Sequence, residues 1–127
     1  MKLTNRELLN FMNSQLGNKH LPVKVTFAIA ANAAEADIKQ KAYEESKKKL
    51  IEKHAKKDKD GNPVIEDKQY VFKDPVKWEK EIVELFDAEV EMNVTTVKLK
   101  DLAKCDEAEF DSLTVNELSA IRFMIEK

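Results

Sequence analysis

Apolar residues recur along this chain with two different periods, and each change of period marks a structural element. The longest regular stretch lies between Pro22 and Gly61. There Phe27, Ala30, Ala31, Ala34, Ile38 and Ala42 follow one another at helical spacing. Neither a glycine nor a second proline interrupts the stretch, which is rich in Ala, Glu, Lys, Gln and Leu. The pattern predicts one helix over 22–57, roughly 35 residues and about 50 Å long. Val23, Val25 and Phe27 also alternate, so a short strand over 23–27 competes. Pro22 at a first-turn position and the alanine-rich continuation favour the helix. Small residues in its first half allow a neighbouring helix to approach closely. Beyond Tyr43 the apolar stripe thins to Leu50, Ile51 and Ala55, and this lysine-rich half is expected to protrude as an arm.

The flanking segments carry their own start and stop signals. Thr4-Asn5-Arg6-Glu7 reads as a capping box, and Leu8, Leu9, Phe11, Met12 and Leu16 supply an apolar face. Gly17-Asn18 is the expected C-cap, so the first helix should span about 5–16. Asp60-Gly61-Asn62-Pro63 is the strongest turn in the chain, with β-prone Val64-Ile65 and Tyr70-Val71-Phe72 after it. A small β-hairpin or ragged loop is expected there. Asp74 as N-cap and Pro75 at the first position open a helix over 75–88, whose Trp78, Ile82, Leu85 and Phe86 should lie antiparallel on the long helix. Val90, Met92 and Val94 alternate as in a half-buried strand, while Val97 and Leu99 alternate in the opposite phase. A bulge near Thr95-Thr96, or a turn between two short strands, would reconcile them. Residues 101–111 read as polar and irregular. Thr114-Val115-Asn116-Glu117 is a second capping box opening a final helix that bears Leu118, Ile121 and Ile125. Leu3-Thr4-x-x-Glu7-Leu8 and Leu113-Thr114-x-x-Glu117-Leu118 share one pattern, which convergent capping chemistry explains as well as duplication does. The expected fold is α+β and mostly helical, in a single domain over 1–127. A long central helix forms an antiparallel α-hairpin, beside short strands and capped terminal helices.

Charge refines this picture. The net charge of −2 argues against general nucleic-acid binding. Lys47, Lys48, Lys49, Lys53, Lys56, Lys57 and Lys59 crowd one stretch, while the part after Asp74 is acidic. A charge run on a helix ordinarily keeps that face wet; the alternative is a basic tip offered to something acidic. Cys105 is the single cysteine, so neither an internal disulfide nor a thiolate metal cluster is expected. No apolar run approaches the roughly 18 residues of a membrane span. Asn5, Arg6 and Glu7 break up any signal-peptide core near the start. These features point to a cytosolic product.

Residues with chemical potential are few. Asp58-x-Asp60-Gly61 resembles the centre of a calcium-binding loop, but the alignment puts Lys56 at the first ligand position and Asp67 at the twelfth. A turn explains the segment better. His20 and His54 lack metal-ligand spacing and are both expected in solvent. The serines sit in no nucleophile elbow, and only Gly17 and Gly61 are present to build a phosphate loop. No catalytic residue, metal site or cofactor is therefore expected. Arg6 and Arg122 are the only arginines, and Arg122 interrupts the apolar run 121–125. Its guanidinium should be paired with a carboxylate at the domain edge or exposed at an interface, with pairing preferred. The candidate binding residues are Lys47, Lys48, Lys53, Lys57, Tyr70, Phe72 and Arg122. The lysines can hold phosphate as point charges, and the aromatics can stack on a ring. Trp78 is expected in the core.

Leu21-Pro22-Val23-Lys24-Val25, Leu50-Ile51-Glu52-Lys53, 57–62, Glu89-Val90-Glu91 and the C-terminal segment ending Met124-Ile125-Glu126 together resemble a family of small proteins of unknown function from bacteriophages and prophages of Gram-positive bacteria. The resemblance implies a phage origin and transfers no catalytic residue. With it, the long charged helix points to a non-enzymatic accessory protein in the host cytoplasm. Such a protein would bind a host protein or a host-made ligand, as defence antagonists do. The alternatives are a structural or assembly role in the virion, with contacts to further copies of itself, and sequestration of a small anionic nucleotide signal.

Overall fold

The computed structural model describes residues 1–126, and its architecture is α+β and mostly helical. A short strand β1 (Lys2–Thr4) runs directly into helix α1 (Asn5–Asn13). The Thr4 side chain accepts the Glu7 N–H while the Glu7 carboxylate accepts the Thr4 N–H, so the capping box forms in full. The helix ends sooner than expected. The left-handed residue is Gln15 (φ 55°), and Leu16–Asn18 forms a separate 3-10 turn. Ser14 turns its hydroxyl onto the Phe11 carbonyl oxygen at 2.6 Å, which helps close the helix there.

The long helix α2 spans Val23–His54, 32 residues. Its buried face differs from the expected one. Val25, Ala28, Ile29, Asn32, Ala36, Tyr43 and His54 face inward. Phe27, Ala30, Ala34, Ile38 and Ala42 are exposed, and Ala31 is half-buried. The first half of α2 is apolar nearly all round, so apolarity alone could not select the face. Contact with α1 and with the C-terminal segment selects it: Leu8, Phe11, Leu16, Val25, Ile29, Ile121 and Met124 share one core cluster.

The distal half of α2 is not a bare arm. Helix α3 (Pro75–Asp87) runs antiparallel along it, with Asp74 capping its start by accepting the Lys77 N–H. Tyr43 stacks on Phe86 at 5.9 Å between ring centroids, and His54 meets Glu81 and the edge of Trp78 nearer the tip. Three chain segments close that tip. The Lys56 N–H donates to the Val71 carbonyl oxygen, the Val64 N–H to that of Lys56, and the Val71 N–H to that of Val64. Gly61 takes φ 80° in the expected turn, where the Asp58 carboxylate accepts the N–H groups of Asp60 and Asn62. The hairpin itself, β2 (Ile65–Glu66) with β3 (Gln69–Tyr70), turns at Asp67 and Lys68, both at positive φ.

The two out-of-phase strands belong to different partners. β4 (Glu89–Glu91) pairs antiparallel with β1, and β5 (Val97–Lys98) pairs parallel with β6 (Ile125–Glu126). Residues 101–111 are less irregular than expected. Helix α4 (Leu99–Ala103) and a 3-10 turn (Lys104–Asp106) bury Asp101, Leu102 and Cys105. The final helix α5 (Val115–Ala120) forms its capping box but is short, and Ile125 lies in β6 rather than on a helix. No helix among the described residues is long and apolar enough to cross a membrane.

Candidate functional site: a cleft lined by both arginines

The C-terminal segment folds the way its pattern dictates. Ile121 and Met124 are three residues apart, the repeat of a 3-10 turn, and both are fully buried. Phe123 sets its ring edge-on against Phe11 at 5.2 Å. With three of four side chains engaged inward, Arg122 is lifted to the surface. It faces a cleft of about 960 Å³ between the start of α1 and the end of the chain. Lys2, Arg6 and Asn10 line one wall, Ser119, Arg122 and Phe123 the other, and Thr96 lies at one end.

The two arginines differ in restraint. Arg6 donates from Nε to the Asp87 carboxylate at 3.3 Å, and its guanidinium lies 5.1 Å from the Phe86 ring centroid. α3 thus orients the group while its Nη nitrogens find no partner among the described residues. Arg122 forms no ion pair with a described residue, so the preferred expectation of a paired guanidinium is not met. Glu7 and Glu126 also line the cleft, but the Glu7 carboxylate is taken up by the α1 cap. Lys2, Arg6 and Arg122 leave the walls with an excess of positive charge. A planar guanidinium offers paired donors to a carboxylate or phosphate, which a lysine cannot do.

The residues expected to bind from sequence are divided between two places. Lys47, Lys48 and Tyr70 do meet, in a shallow groove of about 310 Å³ with Ile51 and Pro63. Glu44 and Glu52 line the same groove and offset the lysines. Lys53 is bound to Glu81 at 3.1 Å, Lys57 bridges to Pro63 in the tip, and Phe72 stacks on Trp78 at 4.1 Å. The Lys53 and Phe72 side chains and the Lys57 backbone thus serve the tip. Arg122 belongs to the other half of the molecule: Met124 touches Asn32, and Lys47 lies about 22 Å further along α2 by the helical rise. Arg6, Lys2 and Thr96 were not anticipated as site residues. The one signal in the sequence was the scarcity of arginine, which leaves Arg6 as the single other guanidinium beside Arg122.

His54 also departs from expectation. It is buried rather than solvated, with Nε2 against the Glu81 carboxylate. Its hydrogen bond, followed by that of Lys53, holds the Glu81 carboxyl below the ordinary carboxylate value. Glu117 is lowered in the same way by Lys19, which also donates to the Ser112 carbonyl oxygen at 3.0 Å. His20 is exposed, as expected, and stacks on Phe110. Burial pushes the Cys105 thiol up, which makes it a poor nucleophile. No group of three or more His, Cys, Asp or Glu side chains among the described residues is placed to hold a metal ion.

Comparison of the chain with protein-family models, with curated proteins and with solved structures finds no match.

Proposed function

We propose that this chain is a non-enzymatic phage accessory protein that binds an anionic host-made ligand, or an acidic segment of a host protein, in the arginine-lined cleft. The observation that carries this reading is the placement of both arginines of the chain on one cleft of about 960 Å³. That volume falls in the range of small-ligand sites. The resemblance of five stretches to phage proteins supports the origin, and a candidate role as a host-defence antagonist follows from it. A nucleotide signal is one ligand of the right charge and size, since its phosphates suit the guanidinium groups and Phe123 offers a face for stacking.

Calorimetric titration with nucleoside mono-, di- and triphosphates, beside a pull-down from host lysate, tests the reading. Binding by the parent chain that falls at least tenfold in Arg122→Ala supports it. No binding in either assay, or binding unchanged in Arg122→Ala, overturns it. The exposed apolar positions of α2 favour a second reading, an assembly role in the virion. Its readout is the chain's presence in purified particles.

A further inference from the structure

The outward face of α2 carries apolar residues that nothing among the described residues covers. Val23 is 85 % exposed, Phe27 65 % and Ile38 63 %. Ala30 and Ala34 lie between them and are exposed as well. At 100° per residue these side chains fall within one stripe, nearly opposite the buried face of Val25, Asn32 and Ala36. Lys41 and Glu45 end the stripe on the tip side. Scattered apolar residues on a surface call for no explanation, but a continuous stripe on one helix does.

We infer that this stripe is the seat of a second copy of the same chain, with the two α2 helices packed antiparallel about a twofold axis near Ala30 and Ala31. Three observations favour this occupant. The first is fit. In this arrangement Val23 of one copy lies opposite Ile38 of the other, and Phe27 lies opposite Ala34. Apolar meets apolar at each step, and alanines occupy the crossing, where the backbones come closest.

The second is a receiving groove. A groove of about 410 Å³ runs beside the stripe, walled by Val23 and Phe27 on one side and by Thr95 and Val97 on the other. A twofold axis perpendicular to both helices brings the same flank of each helix together. Ile38 lies on the groove's flank of the stripe, so each copy's Ile38 is carried over the other's groove.

The third is charge. Lys24 and Glu35 share that flank, while Lys98 lines the groove together with Asp101 and Glu126, which offset it. The antiparallel pairing sets Glu35 of one copy at the height of Lys24 of the other. A parallel pairing leaves Lys24 and Glu35 at different heights along the axis. The stripe exposes on the order of 500 Å² per copy, so the pair buries about 1,000 Å², the lower bound for a specific interface. A dimer of modest, concentration-dependent affinity is the consequence.

Light scattering on the full chain, combined with cysteine cross-linking, tests the inference. The mass should rise towards twice 14.6 kDa as concentration increases. Phe27→Glu and Ile38→Glu should each hold it at the single-chain value, with unchanged far-ultraviolet circular dichroism showing that the fold is kept. In a Cys105→Ala background, Ala31→Cys at the crossing should oxidise to a covalent dimer. Ala42→Cys, far from the crossing, should not. A single-chain mass at every concentration overturns the inference, as does a dimer unaffected by both glutamate variants. Equal cross-linking at both positions overturns the antiparallel arrangement.

Discussion

Asn32 holds the backbone of Thr95 from both sides. Its Nδ2 donates to the Thr95 carbonyl oxygen at 2.8 Å, and its Oδ1 accepts the Thr95 N–H at 2.7 Å. The side chain is wholly buried in α2, and Thr95 lies where the chain leaves β4 for β5. One amide therefore satisfies the polar backbone at the point where two strands part to different partners. Replacing Asn32 by leucine removes both bonds and leaves the two Thr95 groups without partners in a half-buried site. The loss should be about 2–4 kcal/mol, measured by urea denaturation. A loss below roughly 0.5 kcal/mol would show that the clip is dispensable.

The contact between His54 and Glu81 gives stability a dependence on pH. The Glu81 carboxyl lies below its ordinary value of 4.5 in the fold because His54 and Lys53 favour its charged form. A carboxyl lowered by folding contributes its full stabilisation above its unfolded value. That contribution is lost as pH falls from there through the lowered folded value. Glu117, held by Lys19, acts in the same direction. The melting temperature should therefore fall on acidification below about pH 4.5. Glu81→Gln should be less stable at neutral pH and lose less in acid. Melting curves from pH 3 to 7 on both proteins check this, and parallel curves would refute the assignment.

The covering of distal α2 can be read by limited proteolysis. Lys47, Lys48, Lys49 and Lys53 would be early trypsin sites on a free arm. With α3 packed along this half and its tip tied to residues 62–73, those lysines sit on a helix that resists local opening. First cuts should fall instead in the loops around Lys59 and Lys68. Mass spectrometry of the earliest fragments decides, and initial cleavage after Lys47–Lys49 would restore the arm.

Asp67 and Lys68 both hold positive φ in the two-residue turn of the hairpin, at 51° and 65°. Such a turn is the preferred hairpin connection, and Asp-Gly is among its best sequences. Lysine carries a Cβ that this conformation disfavours. Lys68→Gly should raise stability by about 0.5–1 kcal/mol in chemical denaturation, through relief of that strain. A decrease would mean that the Lys68 side chain makes a stabilising contact.

The local signals in the sequence proved sound where the chemistry was local. Both capping boxes form, Asp74 and Pro75 open α3, and the absence of glycine after Pro22 gives one helix of 32 residues. Misreadings arose where distant parts of the chain decide. Phe27 and Ile38 fall at helical spacing with Ala30, Ala31, Ala34 and Ala42, so they drew the core face to themselves. The true face includes a polar residue, Asn32, whose partner lies 63 positions away and leaves no periodic trace. His54 looked solvated among lysines because Glu81 is on another helix. The candidate site followed the same division. A lysine cluster is conspicuous along the chain, whereas Arg6 and Arg122 meet only through the packing of α1 against the C-terminal turn.

Backbone amide NMR, with adenosine triphosphate titrated into the full chain, tests recognition in the arginine cleft most directly. The account predicts saturable shifts concentrated at Lys2, Arg6, Thr96, Ser119, Arg122 and Phe123, and their loss in Arg122→Ala. Shifts centred on Lys47, Lys48 and Tyr70 instead would contradict it.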